Sequence, residues 1–63
     1  MNYAEAIKAL RKKMLITQTE LADLLGVAFV SVNRWENGAY EPTMKAKRKL
    51  ATLFMEHGIV VEE

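Results

Sequence analysis

Arg34 and Asn33 carry two of the side-chain groups best matched to the edges of bases. A guanidinium can bond both acceptors of a guanine, and a carboxamide can pair with adenine. Both lie in the segment 28–37. Val32 and Trp35, three residues apart, can face inward together, and that choice turns Phe29, Val30, Asn33, Arg34 and Asn37 outward. Phe29 then stands beside Asn33, and Val30 beside Arg34, at the i, i+4 spacing of neighbours on one helical stripe. Phe29 and Val30 are apolar. They suit the C5-methyl groups of thymine, or the apolar surface of a protein partner, and residue type leaves both open.

Thr43 is followed by Lys45, Lys47, Arg48 and Lys49. Cations grouped at a helix start, where N–H groups are free, suit phosphate, although each one singly is explained as well by a solvated face. Catalytic chemistry has no comparable support. There is no Ser-His-Asp arrangement, no Gly-rich phosphate loop and no carboxylate pair, and a lone His57 without any Cys cannot assemble a metal site. Neither an enzyme nor a cofactor is expected.

Four stretches must position these groups. Asn2 and Glu5 have the spacing of a capping box, and Tyr3, Ala6, Ile7, Leu10 and Met14 share one face, predicting a helix from about Tyr3 to Lys13. Arg11, Lys12 and Lys13 at its end complement the dipole. Thr17 and Glu20 form a second capping box, with Ile16 placed to staple onto Leu21. Leu21, Ala22, Leu24 and Leu25 give that short helix an inward face, and Gly26 suits a left-handed C-cap. After Val27 comes the segment 28–37, stopped by Gly38. Ala39-Tyr40-Glu41-Pro42 reads as a loop, because Pro42 disfavours helix just before it. Thr43 caps a last helix with Ala46, Leu50, Leu53, Phe54 and His57 inward, ended by Gly58. His57 and Trp35 therefore read as structural. The tail Ile59-Val60-Val61 is β-prone and has no second strand in the chain to pair with, so a copy of itself is the natural partner.

Sixty-three residues make one domain at most, and 51% hydrophobic content argues against a disordered tail. No apolar run is long enough to cross a membrane and the N-terminus lacks the pattern of a signal peptide, so a soluble cytoplasmic protein is expected. The net charge of +1 conceals an asymmetry: residues 1–49 hold nine cations and five acids, a balance of +4, and residues 50–63 hold three acids, a balance of −3. A basic body suggests an anionic partner, although solvated helix faces would account for the charge alone.

The run Thr17-Gln18-Thr19-Glu20-Leu21-Ala22-Asp23-Leu24-Leu25-Gly26-Val27, followed by Ser31-Val32-Asn33-Arg34-Trp35-Glu36-Asn37-Gly38, resembles the lambda-repressor/Cro-like family of helix-turn-helix transcriptional regulators. The likeness extends from about Ile7 to Phe54. It implies an all-α, compact bundle of four to five short helices, with a short C-terminal β-strand as an option. The domain would span 1–58 with the helix-turn-helix at about 17–37, and residues 59–63 would form a tail available for dimerisation. It also implies that the helix 28–37 enters the major groove of double-stranded DNA and that Gln18, at the start of the preceding helix, contacts backbone or base. Similar domains often have Ser or Thr where Ala28 stands, so this helix start lacks a capping hydroxyl. The resemblance further implies an Arg11–Glu36 pair.

The DNA-binding set expected is Gln18, Ala28, Phe29, Val30, Asn33, Arg34, Asn37, Thr43, Lys45 and Lys47. The function expected is that of a sequence-specific regulator of repressor type, working as a homodimer because one helix reads few base pairs. An antitoxin-like autoregulator is a variant of that reading. A protein-interaction module built on Phe29 and Val30 is the alternative from a different class.

Overall fold

The Asn2 side chain accepts the Glu5 N–H at 2.9 Å, while the Glu5 carboxylate accepts the Asn2 N–H at 3.3 Å. In this computed structural model, which describes residues 1–62, that box opens α1 (Tyr3–Met14). The second box, between Thr17 and Glu20, opens α2 (Gln18–Leu25) at 3.1 and 2.9 Å. Then follow α3 (Phe29–Glu36) and α4 (Met44–Glu56), the latter capped by Thr43, whose hydroxyl accepts the Ala46 N–H. These are the only helices among the described residues, and the same residues contain no strand. No helix among them is long and apolar enough to cross a membrane.

One core joins all four helices. Ala6, Ile7 and Leu10 come from α1, Leu21, Ala22 and Leu25 from α2, Val32 and Trp35 from α3, and Ala46, Leu50 and Phe54 from α4. Ala22 is buried on the inward face of α2 beside Leu21 and Leu25. Gly26 takes the left-handed conformation (φ 69°) that turns the chain between α2 and α3, at little steric cost without a Cβ. The Lys49 ammonium donates to the carbonyl of Leu25 at 3.0 Å, so a cation from α4 satisfies the C-terminal end of α2.

Two local expectations differ from the structure. Leu24 does not face inward; it is exposed, because the buried arc of α2 is set by Leu21, Ala22 and Leu25 and Leu24 lies about 100° from its centre at 100° per residue. The first helix ends at Met14, close to the expected Lys13, and Leu15 after it adopts a left-handed conformation (φ 58°) and is 89% exposed. The optional strand at the C-terminus is absent. Instead the tail straps its own domain: Ile59 is buried in the core, Val61 packs on it, and the Glu62 N–H donates to Met1 O at 2.9 Å. Ile59 and Val61 are thereby taken up by the domain's own core, while Val60 stays 74% exposed. Residue 63 of the expected tail lies outside the described residues.

Candidate nucleic-acid interface

Val32, Trp35 and Glu36 are buried, and this fixes the rotation of α3 about its axis. Phe29, Val30, Arg34 and Asn37 consequently face solvent, with Asn33 half-buried among them. Ala28 lies in extended conformation as the N-cap and makes no side-chain capping bond. The first turn of α3 therefore presents backbone N–H groups with no side-chain acceptor. Arg34 is the only exposed charge on the helix, since Glu36 is 4% exposed and paired.

The outward polar side chains are connected to the interior. Glu36 accepts from Arg11 Nε at 2.5 Å and from Arg11 Nη2 at 2.7 Å, a bidentate fork tying α1 to α3. Its Oε1 also accepts from Gln18 Nε2 at 3.1 Å. A carboxylate can only accept, so the Gln18 amide must turn its nitrogen toward Glu36 and its oxygen away. That oxygen takes Asn33 Nδ2 at 3.3 Å, and Asn33 Oδ1 takes Asn37 Nδ2 at 3.2 Å. The charge on Glu36 thus sets the direction of three amides in series. Asn33 still keeps one N–H and one lone pair for a ligand.

Burial alone would push the Glu36 carboxyl up. The bonds from Arg11 and Gln18, with the positive charges of Arg11 and Lys8, outweigh it and hold the group below its ordinary value. The bond to Glu36 holds Arg11 above its own ordinary value, against the opposing effect of burial.

Arg34 is oriented from the other side. Its guanidinium lies over the ring of Tyr40, 5.3 Å from the centroid. Ser31, Arg34, Trp35, Tyr40, Glu41 and Thr43 line a shallow hollow between α3 and the start of α4. Of the groups expected from the sequence, the fold assembles Gln18, Phe29, Val30, Asn33, Arg34 and Asn37 on or beside α3. Thr43 borders the hollow, and Lys45 is exposed in the first turn of α4. Lys47 does not join them: it pairs with Glu41 at 3.3 Å and lies over the Tyr3 ring, 4.8 Å from its centroid. Tyr40 and Lys49 play parts the sequence did not disclose. Tyr40 sits in a loop, and the partner of Lys49 is a backbone carbonyl 24 residues away.

A family model described as helix-turn-helix matches residues 7–54, about three quarters of the chain. No curated protein and no solved structure matches it.

Proposed function

Because the chain belongs to the helix-turn-helix family of lambda-repressor-like, DNA-binding regulators, we propose that it recognises a specific duplex site with α3 in the major groove. The observation that carries this reading is the outward stripe of α3: Arg34 braced on Tyr40, and Asn33 held by Gln18 and Glu36. Arg34 reads guanine and Asn33 reads adenine. Gln18 at the start of α2, Ala28 through its backbone, Asn37, Thr43 and Lys45 sit against phosphates or the groove edge. Lys47 contributes to the field of the basic body.

The protein acts as a homodimer on two half-sites roughly 34 Å apart, since one short helix spans too few base pairs to single out a site. Its regulatory mode is repression by occupancy, which asks nothing of the domain beyond tight, selective binding. It is a binding protein and not an enzyme, and it works in the cytoplasm with the chromosome.

The exposed Phe29 and Val30 favour one rival, a surface that docks a protein. Selecting bound duplexes from a random pool and then titrating salt separates the two. A DNA reader yields a preferred site and a steep linear fall of log affinity with log salt, and Arg34→Ala weakens that site by ~1–3 kcal/mol while barely changing random DNA. A protein-docking module yields neither a site nor a slope.

A further inference from the structure

Phe29 and Val30 occupy the first turn of α3, the end that enters deepest when a short helix docks N-terminus first. They are 50% and 46% exposed, adjacent, and offer no hydrogen-bonding group. We infer that they read the C5-methyl groups of pyrimidines, so that the domain's ligand is a duplex carrying 5-methylpyrimidines, whether thymine or 5-methylcytosine, at fixed positions. The inference rests on the major-groove reading and names what that groove must contain.

In the major groove the donors and acceptors of each base pair are polar, and the pyrimidine C5-methyl is the apolar exception. Pressing Phe29 and Val30 against a polar edge would strip water from groups that neither side chain can satisfy, which is unfavourable. Against a methyl the same contact removes apolar surface on both sides. The surroundings favour DNA over a protein as the occupant. No exposed carboxylate lies on α3, Arg34 is one turn from Val30, and the start of α3 has no side-chain acceptor for its N–H groups, an arrangement that suits an anion. The polar part of the stripe is already engaged, Asn33 through Gln18 to Glu36 and Arg34 over Tyr40. Discrimination among pyrimidines therefore falls to the apolar pair. Cytosine lacks the methyl and 5-methylcytosine restores it, so enzymatic methylation of a cytosine at a contacted position changes affinity with no change of sequence.

The test uses the full chain and the duplex selected from a random pool, with binding followed by fluorescence anisotropy. Replacing each thymine singly by deoxyuridine deletes one methyl. At one or two positions the loss is about fourfold, the equivalent of about 0.8 kcal/mol for one buried methyl-sized group at 1.4 kcal/mol per tenfold. At those positions a thymine-to-cytosine change weakens binding, and 5-methylcytosine recovers about fourfold of it. In Phe29→Ala or Val30→Ala the thymine-to-deoxyuridine ratio falls to near one at the position that each side chain covers, whereas Phe29→Leu keeps it. Both side chains are half-exposed, so the variants fold, and far-ultraviolet circular dichroism verifies this. A selected site that is indifferent to deoxyuridine everywhere overturns the inference and leaves the proposed function standing. A methyl effect that persists in both alanine variants belongs to DNA shape and also overturns it. If no site is selected and no salt-dependent binding is seen, the proposed function falls and the inference falls with it.

Discussion

Replacing Glu36 by Gln tests whether the bridge from α1 through Glu36 to α2 holds the domain together. The substitution keeps the shape and removes the charge. Arg11, which donates to both carboxylate oxygens, is left with a single neutral acceptor, and the new amide nitrogen meets donors from Arg11 and Gln18. Breaking a buried ion pair costs about 3–5 kcal/mol. The Arg11 side chain is 24% exposed and can turn partly to water, which lowers the expected loss to about 2–3 kcal/mol. For 63 residues the whole stability is about 3–9 kcal/mol, so this is a large share of it. At about 4–8 °C per kcal/mol for a domain this small, Tm drops by about 10–20 °C in thermal melts followed at 222 nm.

The pH dependence supplies the control. The folded carboxyl lies below its ordinary value of 4.5, so its contribution is complete above that value and is lost as pH falls through the depressed folded value. The gap in Tm between wild type and Glu36→Gln is therefore full at neutral pH and closes in acid. An unchanged neutral melt, or a gap that persists in strong acid, would refute the bridge as a source of stability.

Leu15 strains the backbone at φ 58° and is almost fully exposed. Leu15→Gly relieves a left-handed conformation that costs an L-residue roughly 1–2 kcal/mol, against roughly 0.5–1 kcal/mol of extra chain entropy, and raises Tm by a few degrees; a lower Tm would contradict this. Tyr40→Ala frees Arg34 and weakens the selected site by about two- to fivefold, from the roughly 0.5–1 kcal/mol of an exposed cation–π contact. Its melt stays near that of wild type, and a large fall in Tm would make Tyr40 a core residue instead.

What could be read beforehand followed the range of each interaction along the chain. The capping boxes at Asn2 and Thr17 are closed by residues three apart, and both are present. The rotation of α3 followed from Val32 and Trp35 alone, a matter of one helix turn. The Arg11–Glu36 pair spans 25 residues and was available only through resemblance to a family; the bidentate bond bears it out. The Gln18–Asn33 bond and the seat of Lys49 on Leu25 had no such guide, since they exist only once α2 has crossed α3 and met α4. Leu24 misled because an apolar residue in a two-turn helix can be assigned to a face that its neighbours already fill. The tail's strand propensity is local, and it is overridden by a core site for Ile59 that only the folded bundle creates.

The series from Glu36 through Gln18 to Asn33 and Asn37 also constrains how such a protein could change its target over evolutionary time. A substitution at Asn33 alone disturbs Gln18, and one at Gln18 strips a donor from Glu36, so these amides carry strong epistasis. Productive changes there must arrive as pairs or triplets. Phe29 and Val30 lie outside the series and can drift one residue at a time at little cost to the rest. New specificities would then arise first from the apolar pair, with the amide series inherited as a block.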